Sequence, residues 1–254
     1  VSDQTTAYLG GKVGVSIADK IARSIVAEGW PVGMYLGTEG DLMEQYSVSR
    51  GGLREAICIL EQQGVVQMRR GRGGGLWVTA PGDAGIVQSA VRYLTFRRVL
   101  PEHLQEARHT IELSLIPLIV DRMNNENARR LRAHLEMEKA EIDSDAPVPK
   151  SPEDIRGFHT LLGSLTGNPA LELCARVVES LVRVEYLKRA PQPDLRDVRR
   201  GVYKRHKRVV DALVERDLPR ALAEYEETLA WTKAFYVEVD RKAESSPEEE
   251  DSKQ

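Results

Sequence analysis

The chain has 254 residues, 41% hydrophobic and 30% charged, with a formal net charge of −3. That composition supports a folded core in one or two domains and excludes a low-complexity or collagen-like chain. No apolar run is long enough to span a membrane, and the first residues lack the charged-then-apolar pattern of an export signal, so a cytoplasmic protein is expected.

Residues 1–13 read as a flexible arm. From there to about residue 80 the pattern is that of a small, compact domain. Thr38 to Tyr46 reads as a short amphipathic helix, broken at Ser47-Val48-Ser49. A second helix follows from Arg50 to Gln63, with Ser49 as a plausible N-cap and Gly64 as its stop. Leu53, Ile57 and Leu60 share one face with Ala56 near it, while Arg50 and Arg54 share the opposite one. Two short β-like runs, Val65–Arg69 and Leu76–Thr79, are joined by the loop Arg70-Gly71-Arg72-Gly73-Gly74-Gly75.

Helix, turn, helix and a two-stranded wing offer one helix to a DNA major groove and a basic loop beside it. The global charge does not announce a nucleic-acid ligand, but the local charge does: Arg50 to Arg72 holds five arginines against Glu55 and Glu61. Arg50 and Arg54 alone read as solvated surface residues. The break before them and the wing after them favour DNA contact. The glycine-rich loop lacks a following G-K-[ST] and a long helix, which argues against a nucleotide site.

After Pro81 strand signals nearly vanish. Helices are expected over Gly82–Arg97 (Ile86, Ala90, Val91 and Leu94 inward), from Pro101 (Leu104, Ala107, Ile111 and Leu115 inward, with a kink at Pro117), and over Ala128–Ile142. Ser151-Pro152-Glu153-Asp154 opens another, ending at Gly167-Asn168; Pro169 starts the next, to Lys188. Pro191-Gln192-Pro193 is a linker, then come helices over Leu195–Arg216 and Pro219–Val239. Residues 81–240 thus form an all-helical domain, and 241–254 an acidic, disordered tail. Cys58 and Cys174 both fall on helix faces that look buried and read as reduced core thiols. The fold class is mostly α: an N-terminal winged helix-turn-helix and a C-terminal helical bundle.

Residues 14–80 resemble the winged helix-turn-helix domain of the GntR family of bacterial transcription regulators. The resemblance rests on Gly33, Thr38-Glu39 before Leu42, Val48-Ser49-Arg50, Leu53-Arg54-Glu55-Ala56, Leu60-Glu61, Gly64-Val65-Val66, and Arg70-Gly71 with Gly73 and Val78. It implies operator contacts at Thr38, Ser49, Arg50, Gly51, Gly52, Arg54, Arg70, Gly71 and Arg72. Two departures from the pattern stand out. Gly40 stands where the family has a DNA-touching arginine, and Gly51-Gly52 replaces a Thr-Pro or Thr-Thr pair. Glycines there weaken the helix start by roughly 1 kcal/mol each.

The helical part resembles the FCD effector domain of the FadR subfamily, on Glu106, Arg108 and Glu112, on Phe158-His159 with Leu161-Leu162 leading to Thr166-Gly167-Asn168-Pro169, and on His206 with Val209, Ala212 and Asp217. The resemblance implies a cavity for a small organic acid or acyl-type ligand, with Arg108, His159, Arg183, Tyr203 and His206 around it. An arginine pairs with a carboxylate through its planar fork. It also implies a divalent metal on an aspartate four residues before a first histidine, a second histidine, and a third 22 residues on. Here His159 and His206 match, but Ile155 and Thr228 occupy the other two positions, and Asp154 is one residue off. Glu224 or Glu227 could substitute. Two imidazoles alone make a poor zinc site, so no metal is expected.

The function implied is a homodimeric, effector-modulated regulator, a repressor, acting on an inverted-repeat operator. An effector-blind DNA-binding dimer is the alternative. A helical metal-dependent enzyme ranks below it, because no nucleophile elbow, H-E-x-x-H or paired Glu-x-x-His motif is present.

Overall fold

The computed structural model describes residues 3–144, 157–187 and 195–245. The chain divides into two compact units, Val1–Gly85 and Ile86–Gln254.

In the first unit, α1 (Asp3–Ala27), α2 (Glu39–Tyr46) and α3 (Arg50–Gln62) pack with three strands, β1 (Tyr35–Gly37), β2 (Val66–Arg69) and β3 (Gly75–Val78). The sheet is antiparallel in the order β1-β3-β2, with Gln67 opposite Trp77 and Met68 opposite Leu76. Strand β1 has only three residues, too short to carry a period-2 signal, and was not expected from the sequence. Residues 3–13, expected as an arm, belong to α1. No proline interrupts the stretch, and a helix already nucleated by its packed half extends at one hydrogen bond per residue.

The core of this unit is Ile17, Ile21 and Ile25 of α1 against Leu53, Ala56, Ile57 and Leu60 of α3, closed by Leu42, Val66, Leu76 and Val78. The expected inward face of α3 is the observed one. Cys58 lies on the exposed side of that helix, as Cys174 does on α8, so both thiols are surface groups rather than core residues. In each case the neighbouring Ile57 or Ala175 takes the buried position. The wing is tied to the helices at its base: Trp30 Nε1 donates to the Thr79 carbonyl at 2.8 Å, and Thr79 Oγ1 to the Gly64 carbonyl at 2.6 Å.

The second unit is helical throughout its described residues: α4 (Ala84–Phe96), α5 (Pro101–Asp121), α6 (Asn125–Ser144), α7 (Phe158–Leu165), α8 (Pro169–Leu187), α9 (Leu195–Val214) and α10 (Leu218–Ser245). Helix α5 runs through Pro117 to Asp121. The helix start at Ser151–Asp154, most of the loop before it, the Pro191–Pro193 linker and residues 246–254 of the tail lie outside the described residues. In α4 the buried residue is Val87, and Ile86 is exposed, one position off the expected face. The inward stripe of α5 is also shifted: Leu104, Arg108, Glu112, Leu115, Ile116 and Ile119 are buried. That stripe packs with Leu131 and Leu135 of α6, Phe158 and Leu162 of α7, Val209 and Leu213 of α9 and Tyr225 of α10.

Candidate functional site

The break between α2 and α3 is built from two caps and one left-handed residue. Thr38 caps α2: its hydroxyl accepts from Asp41 N at 3.2 Å, and Asp41 Oδ2 accepts in return from Thr38 N at 2.8 Å. Asp41 Oδ2 accepts from both Thr38 N and Thr38 Oγ1, each at 2.8 Å, and these two bonds, backbone first, hold the Asp41 carboxyl below its ordinary value. Ser47 ends α2 at φ 52°, and Ser49 caps α3 by accepting from Gly52 N at 3.3 Å. Thr38 and Ser49 therefore spend their hydroxyls on the backbone of the turn.

Arg50, Gly51 and Arg54 are exposed on the first turns of α3. Gly52 is not. It is buried, and a Cβ at that position would meet Val13 Cγ1 at 3.3 Å. Its place among the expected DNA contacts is corrected by that packing: the residue serves the approach of α1 to α3. Arg54 Nε lies 3.3 Å from Glu39 Oε1, across from the first residue of α2. In the wing, Arg70, Gly71 and Arg72 are exposed at the tip, where Gly71 has φ 95°, a left-handed backbone that other residues rarely adopt. Arg69 is held back, its guanidinium 4.8 Å over the ring of Trp77.

The second unit buries two linked polar clusters. In the first, Arg108 Nε donates to Glu112 Oε2 at 3.0 Å, and Tyr225 Oη donates to the same oxygen at 2.9 Å. Arg108 also hydrogen-bonds His159 Nε2. A guanidinium has only donors, so that nitrogen accepts and the ring proton is assigned to Nδ1. Nδ1 lies 2.9 Å from Tyr225 Oη and 3.2 Å from Glu112 Oε2. Burial pushes the Glu112 carboxyl up, but the Arg108 charge, then His159 and the hydrogen bond from Tyr225, outweigh it and bring it down to about 2. Burial, with the Glu112 charge beside it, raises the Tyr225 phenol well above its usual value, so it stays a donor.

In the second cluster, Glu138 Oε1 is shared by His206 Nδ1 at 2.7 Å and His134 Nε2 at 3.1 Å. Burial raises the Glu138 carboxyl and the two histidines lower it further, to about 2. Burial lowers His206 against the pull of Glu138. Phe158 joins the clusters, stacked on His206 with ring centroids 3.9 Å apart; His159 meets His206 edge-on at 5.7 Å.

Of the five expected effector residues, the structure gathers Arg108, His159 and His206. Tyr203 is half-buried against the apolar core one turn before His206, and Arg183 is half-buried on α8. At Arg108 a carboxylate is already supplied from the same helix, by Glu112. Glu138, His134 and Tyr225 did not come from the sequence reading. The signal for Glu112 was present: residues 104, 108, 112, 115 and 119 recur at helical spacing, which puts a cation and an anion on the apolar stripe.

The order of elements and the sequence match known families in both units. Residues 14–75 match the gntR family of bacterial regulatory proteins, and residues 103–230 match the FCD domain. The chain belongs to the GntR family. An uncharacterised HTH-type transcriptional regulator of Mycobacterium tuberculosis is 32% identical over 172 residues, 66% of this chain and 67% of that protein. The HTH-type transcriptional repressor NanR of Salmonella newport is 25% identical over 215 residues, 83% of this chain and 80% of that one. The solved Streptococcus agalactiae GntR shares the fold, with a TM-score of 0.61 and 19% identity over 85% of this chain and 97% of that one. This GntR chain is thus a DNA-binding transcription regulator with an FCD domain, and not an enzyme.

The divalent metal that the FCD resemblance implies does not fit the residues present. A cation on His159 Nε2 would stand against the Arg108 guanidinium. Thr228 is buried and donates to the Glu224 carbonyl at 2.8 Å. Glu224 and Glu227, the possible substitutes, pair with Arg208 at 3.0 and 2.6 Å. Ile155 lies outside the described residues. Among the described residues no group of three or more His, Cys, Asp or Glu side chains is set to hold a metal. No helix among them is long and apolar enough to cross a membrane.

Proposed function

We propose that this GntR chain is a cytoplasmic, nucleoid-bound homodimeric repressor whose grip on an inverted-repeat operator is set by a small organic acid or acyl-type ligand. Arg50 and Arg54 of α3 contact the major groove, and Arg70, Gly71 and Arg72 follow the adjacent backbone or minor groove. Two such domains match half-sites about one helical turn apart. The relative named as a repressor supports the sign of the effect.

The observation that carries the effector reading is the burial of Arg108, 4% exposed, with its charge met by Glu112 one helical turn on. A ligand carboxylate has the chemistry to take Glu112's place on the guanidinium. Glu112 then keeps Tyr225 and His159 as donors, so it is not left bare in the core. That exchange moves α5 relative to α7 and α10, and a ligand that prefers one arrangement shifts the population of DNA-competent dimers.

The test is native mass spectrometry of the purified protein, followed by titration of organic acids into a complex with a DNA duplex that the protein itself selects from a random pool. A dimer that takes one acid per chain and changes its DNA affinity supports the reading. A dimer whose DNA affinity no organic acid changes overturns it and leaves the effector-blind regulator.

A further inference from the structure

Glu39 is a carboxylate on a surface that faces phosphates, where its own charge opposes binding. We propose that Glu39 is a positioning residue for base readout: it holds Arg54 so that the two terminal nitrogens of the guanidinium point out as a fork. The proposal rests on the reading of Arg54 as an operator contact.

The placement begins with the cap of α2. Thr38 and Asp41 bond reciprocally, which fixes the backbone of the first turn and consumes the Asp41 carboxylate. Glu39, the first residue of that helix, is the carboxylate of the turn that reaches across to α3. Gly40 beside it carries no side chain, and the open space there meets only Thr38 Oγ1 at 3.6 Å.

The contact engages Nε of Arg54, with 3.3 Å to Glu39 Oε1. A guanidinium has five N–H donors, and this one leaves the four on Nη1 and Nη2 free of Glu39. Those four form the edge that pairs bidentately with O6 and N7 of guanine. The Arg54 side chain is 66% exposed and that of Glu39 33%, so the anchor sits deeper than the reading head. An untethered arginine reaches any phosphate within its radius. A tethered one gives up part of that reach and gains direction, which favours one base over backbone contact.

The sign of the electrostatics separates positioning from a mere charge effect. Removing a negative charge from a DNA-facing surface strengthens binding to every duplex. Removing a positioning group weakens binding to the cognate duplex alone.

The experiment measures fluorescence anisotropy for the full chain and its E39A, E39Q, R54A and E39A/R54A variants. The probes are a duplex selected by the wild-type protein from a random pool and a scrambled duplex of the same length and composition. E39A is expected to bind the selected duplex roughly tenfold more weakly, and the scrambled one as tightly as wild type or more so. E39Q, whose amide oxygen still accepts from Nε, recovers part of the loss. Adding E39A to R54A costs nothing further. The proposal is overturned if E39A binds the selected duplex as tightly as wild type while R54A does not. It is also overturned if E39A weakens both duplexes and lowers the melting temperature, which marks a role in the fold of α2. If R54A leaves the selected duplex unaffected, the reading of Arg54 itself fails.

Discussion

Arg108 and Glu112 form an ion pair one helical turn apart with both side chains inside the helical unit, 3.0 Å from Nε to Oε2. The pair lies on the same stripe of α5 as Leu104, Leu115 and Ile119. Taking two charges out of water costs more than their attraction returns unless further bonds complete the geometry, and Tyr225 and His159 supply those bonds.

Breaking the pair from one side strands the other charge. Glu112→Ala leaves the Arg108 guanidinium buried without its carboxylate and is expected to cost about 3–5 kcal/mol. The double variant R108M/E112L removes both charges and fills similar volume, so it is expected to melt close to wild type or above it. Calorimetric melting of the full chain checks both. If E112A melts like wild type, the pair is not closed as described.

Acid should loosen the helical unit in two stages. His206 is held below its ordinary value by burial, so the unfolded chain binds the extra proton first and stability falls as pH drops below the usual histidine range. Glu112 and Glu138 are both held at about 2, below the ordinary carboxylate value. Their contribution is complete above about pH 4.5 and is lost as pH falls from there toward 2. Melting temperature against pH is the measurement. Glu138→Gln, which keeps an acceptor but cannot titrate, should flatten the lower stage; an unchanged profile in that variant would remove Glu138 from the account.

The winged unit was largely legible in the sequence because its information is local: a cap, an apolar stripe and glycine stops each sit within a few residues. The inward face of α3 followed directly from spacing. Gly52 was misread because its reason lies in α1, 39 residues earlier, at Val13. In the helical unit the histidines and Arg108 drew notice by type, but Glu138 and Tyr225 did not. Glu138 meets His206 across 68 residues of sequence, and Tyr225 meets Glu112 across 113, so neither partnership shows in local spacing. Periodicity also favours apolar residues by construction, so it assigned Ala107 and Ile111 to a stripe that α5 gives to Arg108 and Glu112.

The two glycines at the start of α3 should respond differently to a methyl group. A Cβ on Gly51 meets nothing within 4 Å, whereas one on Gly52 meets Val13 Cγ1 at 3.3 Å. Gly51→Ala is expected to stabilise the winged unit by about 1 kcal/mol through the restricted unfolded chain and better helix propensity. Gly52→Ala gains less, because Val13 has to yield. Thermal unfolding of the two variants checks the order, and a G52A that gains as much as G51A would show that α1 gives way freely at Val13.

Arg72 and Arg54 should fail in different ways when truncated. Arg72 sits exposed on the wing tip between the left-handed glycines Gly71 and Gly73, on a backbone that carries it clear of the sheet. A charge presented that way neutralises a phosphate and releases a counterion without reading sequence. Arg72→Ala is therefore expected to weaken binding to selected and scrambled duplexes alike, and to lower the slope of log affinity against log salt by about one. Arg54 is angled by Glu39 and offers its Nη fork, so Arg54→Ala is expected to cost about 1–3 kcal/mol on the selected duplex with little change on the scrambled one. Anisotropy titrations of both variants across a range of salt separate the two behaviours. A uniform loss for Arg54, or a sequence-dependent one for Arg72, would exchange their roles and move base readout from α3 to the wing.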